Sequence, residues 1–233
     1  MCHTYPQMFR QTLNVLLDLL LPRRCFGCRR SGAALCAACA AAGEPADPLD
    51  GLATHALFAY RDPVIRKMIW ALKYRGGQAI GVVLGTLLYN YLTEELSEAS
   101  IWGGNDKNFL VVPIPLSPAR LRARGYNQAT AIARGFVSRG GELARHGGGN
   151  FILAENILRR TRDTGSQTEI KQRAKRLKNM RGAFAVINPG AARRKQIILI
   201  DDVLTTGGTM AYARRALERA GAKIVIAAAV AHG

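Results

Sequence analysis

Four of the five cysteines in this 233-residue chain form two Cys-x-x-Cys pairs, Cys25 with Cys28 and Cys36 with Cys39. Each pair can direct two thiolates at one point, and four thiolates around one point suit tetrahedral Zn2+. Two disulfides or a redox-active pair are the alternatives, although the cytosol keeps thiols reduced and redox pairs are not usually doubled. Because four sulfur ligands leave no open coordination position, we expect a structural zinc centre. Cys2 has no assigned role.

A second group of chemically active side chains follows the apolar run 197–200. It comprises two carboxylates and a turn rich in hydroxyls and glycines: Asp201, Asp202, Thr205, Thr206, Gly207, Gly208 and Thr209. Parallel sheets bind ligands at the carboxyl ends of their strands. Glycine N–H groups and a helix N-terminus suit a phosphate monoester. Paired carboxylates can accept hydrogen bonds from ribose hydroxyls, directly or through Mg2+. A helix cap beside two solvated aspartates is the alternative interpretation.

The charge of the chain favours anionic partners. It has 33 Lys and Arg against 16 Asp and Glu, a formal net charge of +17. Such an excess attracts nucleic acid, acidic membranes or phosphorylated metabolites, unless the arginines simply solvate helices. Nine of the basic residues lie within 159–181, and the segment 117–139 has five arginines and no acid. Aromatic residues are only 7% of the chain, so composition does not support base stacking.

Hydrophobic periodicity predicts the elements that would position these groups. Strands are predicted at 52–60, 109–114, 151–158, 183–187, 197–200 and 223–230, and helices at 64–74, 81–96, 120–137 and 209–220. Runs that are apolar on both faces, alternating with helices, are typical of the α/β class. We therefore predict a mostly parallel, twisted sheet flanked by helices, with a surface loop at 140–150.

The amino-terminal segment is predicted to form a small separate module. Residues 1–48 would hold an N-terminal helix and the four cysteines, with an Ala/Gly/Pro-rich linker at 37–48, and residues 49–233 would form the α/β domain. The longest apolar run, 13–21, is about half a membrane span and contains Asn14 and Asp18. It also lacks a signal-peptide cleavage site. We expect a cytoplasmic protein without membrane insertion, and 48% apolar residues exclude a largely disordered chain.

Taken together, these motifs resemble the ComF family, a competence-associated branch of the type I phosphoribosyltransferase fold with an N-terminal four-cysteine zinc knuckle. The resemblance extends over nearly the whole chain. It rests on the segments 20–25, 72–76, 112–116, 122–128, 160–167 and 181–184, and on the turn 201–209. This last segment is similar to the motif that binds 5-phosphoribosyl 1-diphosphate (PRPP).

The resemblance implies roles for individual residues. Asp201 and Asp202 would be the catalytic carboxylates that hold the ribose 2′ and 3′ hydroxyls, and the turn 205–209 would wrap the 5′-phosphate. Residues 115–122 would bind pyrophosphate, and 160–181 would form a mobile loop over the reaction centre. The candidate cations at these places are Lys73, Arg75, Arg122, Arg160 and Arg162.

The implied function is Mg2+-dependent transfer of phosphoribosyl from PRPP to an unidentified acceptor, with release of pyrophosphate, in natural competence and DNA uptake. Cations and Mg2+ would stabilise the leaving pyrophosphate while carboxylates face the cationic sugar. The alternative is a non-catalytic accessory protein that binds single-stranded DNA or docks on a competence helicase or other DNA-uptake proteins. A fold of this kind can bind without reacting.

Overall fold

The computed structural model describes residues 24–47, 54–75, 77–98, 108–144, 150–161 and 183–233. Cys2, the apolar run 13–21, Arg162 and most of the predicted mobile loop lie outside the described residues. The chain divides into two compact units, Met1–Gly43 and Glu44–Gly233. The predicted division after residue 48 stays a prediction.

The described part of the first unit contains one short helix, α1 (Ala37–Ala41), which buries none of its residues. The prediction of a linker at 37–48 is therefore wrong at its start, because a run of alanines favours helix. It is also wrong further on, where the Glu44 carbonyl accepts a hydrogen bond from the Ala59 N–H at 2.8 Å. This contact belongs to the second unit and anchors the chain beside its first strand.

The second unit is built on a parallel sheet. Its strands, in chain order, are β1 (Thr54–Ala59), β2 (Asn108–Pro113), β3 (Asn150–Leu153), β4 (Leu158–Arg160), β5 (Phe184–Val186), β6 (Gln196–Leu204) and β7 (Ile224–His232). Five of them pair in parallel in the order β1-β7-β6-β2-β3. The other two, β4 and β5, form a separate antiparallel pair. The predicted α/β class is confirmed.

Helices connect and cover these strands. They are α2 (Pro63–Tyr74), α3 (Gln78–Glu98), α4 (Pro118–Arg124), α5 (Gln128–Ala144), α6 (Pro189–Ala192) and α7 (Gly208–Arg219). Both α3 and α5 pack so closely that a Cβ at Gly85 would collide with the carbonyl oxygen of Ile132. Among the described residues, no helix is both long and apolar enough to cross a membrane.

Three more predicted elements, between residues 120 and 158, differ from the observed ones. The helix predicted at 120–137 is two helices, because Gly125 ends α4 in the left-handed conformation with φ 76°. The second of them runs on to Ala144, so the loop predicted from residue 140 is wrong at its start. The strand predicted at 151–158 is also two segments, which belong to different sheets. In the first case a local helix end at a glycine sets the boundary, and in the third the pairing of strands in two different sheets sets it.

The core lies around β6 and β7. Residues 197–200 of β6 and 227–231 of β7 are fully buried, as expected for strands covered on both faces. Contrary to the prediction, β6 does not end before the two carboxylates but continues to Leu204. The reason is that β7 extends beside it as far as the pair Leu204–His232. The carboxylates are therefore held on a rigid strand.

Candidate functional site: a cysteine centre and a cationic cleft

The four predicted metal ligands come together in the first unit. The Sγ atoms of Cys25, Cys28, Cys36 and Cys39 all lie within 4.8 Å of one another. Gly27 permits this approach, because a Cβ there would lie 2.7 Å from the Cys39 Sγ atom. We call this group the cysteine centre.

The spacing of the thiols fits a tetrahedral metal site. The Cys36 Sγ atom lies 3.8 Å from that of Cys25 and 3.6 Å from that of Cys28. A tetrahedron with Zn–S bonds of about 2.3 Å has edges of about 3.8 Å. These sulfur–sulfur distances are far longer than the bond of about 2 Å in a disulfide. The donor set is therefore compatible with structural zinc.

The thiols differ in their ease of ionisation. The Cys36 backbone N–H points at the Cys25 Sγ atom at 3.5 Å and is the main cause that lowers the pKa of Cys25 to about 6. The side chains of Cys36 and Cys25 act in the opposite direction on Cys39 and raise its pKa to about 12. A cation would be needed to keep all four thiolates ionised together, as metal ligands must be.

The second cluster lies where β2 ends beside β6, which continues past it with the two carboxylates. The Ile114 N–H, just beyond β2, donates to the Ile200 carbonyl at 2.8 Å. Around this edge a cleft of about 460 Å3 opens. It is lined by Tyr60, Lys73, Tyr74, Ile114, Pro115, Leu116, Arg120, Arg124, Gln128, Arg160, Asp201, Asp202, Val203, Leu204, Thr205, Gly207, Gly208 and Thr209.

The turn after β6 presents the start of α7 to this cleft. Gly207 is the N-cap of α7 with φ 67°, a conformation that favours glycine, and no side chain in the described part of the chain caps the helix. The first turn of α7 also has no acidic residue. Open N–H groups and a positive helix end favour an anion at this place.

The two carboxylates of β6 have different surroundings. Asp202 is buried and forms an ion pair with the Lys73 ammonium, Nζ to Oδ2, at 2.8 Å. Asp201 is only partly buried, and one of its carboxylate oxygens accepts the backbone N–H of Asp202 at 2.8 Å. Thus Asp202 neutralises a cation of α2, whereas Asp201 has no such counter-ion among the described ion pairs.

The electrostatics reflect this difference. Loss of hydration, with repulsion by the Asp202 carboxylate, raises the pKa of Asp201 well above its usual range. For Lys73, desolvation alone would lower the pKa, but attraction to Asp202 and then Asp201 outweighs it, so the pKa is raised. A ligand that brings a cation or hydroxyl donors to Asp201 would favour its ionised form.

Four cationic side chains line the same cleft as the carboxylates: Lys73, Arg120, Arg124 and Arg160. Arg160, at the end of β4, is 8% exposed, and its guanidinium carbon lies 5.6 Å from the centroid of the Phe184 ring on β5. The lining of the cleft therefore combines basic side chains with two carboxylates. This arrangement suits a sugar that bears several phosphates.

Not every predicted residue lies at the cleft. Asp201, Asp202, Thr205, Gly207, Gly208, Thr209, Lys73 and Arg160 line it. Thr206 and Arg122 are exposed and are not among the lining residues, and Arg75 lies over the ring of Trp70 instead. The predicted roles of these residues stay predictions.

Sequence reasoning missed several lining residues, of which Tyr60, Tyr74, Arg124 and Gln128 are the polar ones. Gln128 is 5% exposed, and its Oε1 atom has no hydrogen-bond partner among the described residues. For Arg124 and Gln128 the available signal was that both lie in the acid-free segment 117–139. Tyr74 ends α2 within the segment 72–76 that carries the family resemblance, and Tyr60, just beyond β1, is marked by no local motif.

Two side chains brace the loops that bear these groups. The Asn127 amide donates to the Ile114 carbonyl at 2.9 Å, and its oxygen accepts the Ala129 N–H at 3.1 Å. The Tyr126 hydroxyl donates to the Leu72 carbonyl, next to Lys73 on α2. The loop 125–127 thus ties the end of β2 to the end of α2.

Comparisons with known proteins agree with this geometry. Residues 130–233 match the family model of the phosphoribosyl transferase domain. The chain is 29% identical over 175 residues to competence protein ComFC of Streptococcus pneumoniae strain R6, and 27% identical over 165 residues to ComFC of Bacillus subtilis strain 168. It is 28% identical over 112 residues to competence protein F of Haemophilus influenzae.

These matches cover 75%, 70% and 48% of this chain, respectively. They span 66%, 56% and 44% of the relatives, so the chain covers less than two thirds of their length. Together with the cysteine centre, they confirm the resemblance to the ComF family and to the type I phosphoribosyltransferase fold.

Proposed function

We propose that this ComF-like chain, with its phosphoribosyl transferase domain, binds PRPP together with Mg2+ in the cleft. The observation that supports the proposal best is the shared edge of the cleft. There the uncapped start of α7, the carboxylates of β6 and the side chains of Lys73 and Arg160 line one space. A 5′-phosphate would lie at α7, the ribose hydroxyls at the carboxylates, and the pyrophosphate among the cations.

The carboxylate oxygen of Asp201 suits Mg2+, which prefers oxygen ligands and retains several waters. Bound there with the pyrophosphate, Mg2+ would neutralise its charge. Asp202 would keep Lys73 oriented toward the same place, since the two are already paired. The segment 115–122, which includes Arg120, would face the departing pyrophosphate.

The proposed reaction transfers the phosphoribosyl group. A nucleophilic N–H or O–H group of the acceptor forms a bond to C1 of the ribose, the bond from C1 to pyrophosphate breaks, and the acceptor loses its proton. The carboxylates would stabilise the positive charge that develops on the sugar, and the cations the negative charge that leaves with pyrophosphate.

We also propose that the chain acts in competence and DNA uptake in the cytoplasm, with zinc in the cysteine centre. The relatives named as competence proteins support the process, and the sulfur–sulfur distances support the metal. A non-catalytic role beside single-stranded DNA or a competence helicase is the alternative, in which the cleft binds PRPP without turnover.

Isothermal titration with PRPP, with and without Mg2+, tests the proposal. We expect micromolar binding, about −8 kcal/mol, that Mg2+ strengthens and that the double variant Asp201→Asn/Asp202→Asn abolishes. Glu218→Gln is the matched control, since it removes a carboxylate from the far end of α7. Absence of heat with folded, zinc-loaded protein would refute PRPP binding.

A further inference from the structure

Two large aromatic side chains stand exposed on α2, next to the cleft. Trp70 is 50% exposed and Tyr74 is 61% exposed. They are one helical turn apart, and their ring centroids lie 5.6 Å from each other at an interplanar angle of 48°. The same helix buries Ile65, Met68, Ile69 and Leu72, so the aromatic pair lies on its solvent face.

Each of the two rings has an arginine over it. The guanidinium carbon of Arg75 lies 4.9 Å from the centroid of the Trp70 ring. That of Arg124, at the end of α4, lies 5.6 Å from the centroid of the Tyr74 ring. We call these four residues the aromatic ledge. Arg66 and Lys67 are exposed one turn before Trp70, and α2 contains no acidic residue.

The ledge is continuous with the cleft. Tyr74 and Arg124 line the cleft as well as belonging to the ledge, whereas Trp70 and Arg75 extend it outward. Between the two rings along α2, Lys73 turns inward to Asp202. A ligand seated on the ledge would therefore lie at the rim of the cleft.

Rings that alternate with guanidinium groups suit one class of ligand. An unpaired nucleobase gains by stacking on an exposed aromatic ring, and its phosphate gains from the neighbouring arginines. The bases of a duplex have both faces covered, so stacking of this kind selects unpaired bases. The low aromatic content did not favour base stacking, but Trp70 and Tyr74 are two exposed aromatic side chains that lie next to each other.

We propose that the aromatic ledge binds a nucleobase that bears a phosphate, supplied either by a free nucleotide or by an unpaired nucleic-acid strand. The base lies against Trp70 or Tyr74, and the phosphate lies beside Arg75 or Arg124. This inference goes beyond PRPP binding and does not depend on it, because Trp70 and Arg75 are outside the lining of the cleft.

Fluorescence of Trp70 tests the ledge. The chain has two tryptophans, so Trp102→Phe in the full chain leaves Trp70 as the single reporter. The probes are a twelve-residue oligothymidylate, an abasic oligomer of the same length and thymidine 5′-monophosphate. We expect the oligothymidylate to quench Trp70 and to bind more tightly than the abasic oligomer.

Affinity measured by anisotropy of the labelled oligomers extends the test to variants. We expect Tyr74→Ala and Trp70→Ala to weaken oligothymidylate binding roughly 5- to 150-fold each, and Tyr74→Phe and Trp70→Phe to keep most of it. Ile187→Ala, at an apolar side chain 54% exposed, is the control for lost surface, and Arg193→Ala is the control for lost charge. PRPP affinity of Trp70→Ala should stay unchanged.

The outcomes distinguish a free nucleotide from a nucleic-acid strand as the ligand of the ledge. They also distinguish failure of the ledge proposal from failure of the PRPP proposal. Quenching by the monophosphate at a similar affinity would assign the ledge to free nucleotides, and quenching by the oligomer alone would assign it to a strand. Equal binding of the abasic oligomer, with no effect of either alanine variant, would overturn the ledge. A failed PRPP titration beside normal quenching would refute PRPP binding only.

Discussion

The cysteine centre and the cleft are assembled in opposite ways. The centre takes all its groups from residues 25–39, whereas the cleft draws its lining from residues 60–209. The helix beside the centre buries no residue, but the strands next to the cleft, β6 and β7, have fully buried residues at their centres. We therefore expect a metal to supply most of the order around the cysteine centre, whereas packing supplies it in the second unit.

The sharpest test of this contrast removes one sulfur. We expect Cys36→Ser to release zinc and to abolish the fold of residues 24–43, since structural zinc contributes about 10–16 kcal/mol of apparent binding free energy in small domains. Elemental analysis would measure the metal, and hydrogen exchange would locate the unfolded segment.

The second unit should behave differently in the same variant. Its own thermal transition and its PRPP affinity are expected to persist, because each residue of the cleft lies beyond residue 59. Full metal content in Cys36→Ser would contradict the zinc assignment. Loss of both transitions together would contradict the independence of the two units.

The next largest effect is expected at the ion pair of the cleft. The side chain of Lys73 is 20% exposed and that of Asp202 is 7% exposed, so neither charge is well hydrated. We expect Lys73→Met to lower the free energy of unfolding by about 3–5 kcal/mol, because it leaves the buried Asp202 carboxylate without its counter-ion. Chemical denaturation would measure the loss.

A second substitution separates charge from packing. Adding Asp202→Asn to Lys73→Met should recover a large part of the stability, since no uncompensated charge then remains. Lys67→Met, at an exposed lysine on the same helix, is the control and should change stability by less than about 1 kcal/mol. Equal losses at the two lysines would show that the ion pair does not stabilise the cleft.

Locality also explains what the sequence could predict. The cysteine spacing and the segment 201–209 are contiguous, so their residue types indicated the chemistry before any fold was known. The same holds for the parallel sheet, because short, continuously apolar runs such as 197–200 are typical of strands that are covered on both faces. Boundaries were less predictable, as where Gly125 divides one expected helix into two.

The remainder of the cleft required long-range packing. Tyr60 follows β1 and Tyr74 ends α2, and only the fold brings both to the cleft that Asp202 also lines. The partner of that carboxylate, Lys73, is 129 positions away, which no spacing rule anticipates. The aromatic ledge has the same origin, since Arg124 reaches the Tyr74 ring from a different helix.

Packing in the second unit can be tested at its closest helix contact. We expect Gly85→Ala to destabilise by about 1–3 kcal/mol or more, because the new methyl group would meet the backbone of α5 at Ile132. Gly141→Ala, on α5 with no neighbour within 4 Å, should instead stabilise by about 0.5–1 kcal/mol. Thermal unfolding measures both, and the same sign for the two would refute tight packing of α3 on α5.

A modest destabilisation is expected at the cap of α2, the helix that bears Lys73. Asp62 accepts the N–H groups of Val64 at 2.8 Å, Ile65 at 3.0 Å and Glu44 at 3.1 Å. Burial opposes its ionisation, but these bonds outweigh burial and lower its pKa. We expect Asp62→Ala to cost about 1–2 kcal/mol at neutral pH, measured by urea denaturation.

This contribution should depend on pH in one direction. Because the folded state lowers the pKa of Asp62, the stabilisation is present above the unfolded value of about 4 and is lost as the pH falls through the folded pKa. The difference between wild type and Asp62→Ala should therefore shrink in acid. Asp62→Asn keeps a capping oxygen without a titrating charge, so its difference from Asp62→Ala should not change with pH. A cost that stays constant well below the unfolded pKa of about 4 would assign the effect of Asp62 to packing, because a carboxyl whose pKa is lowered by folding loses its stabilisation there.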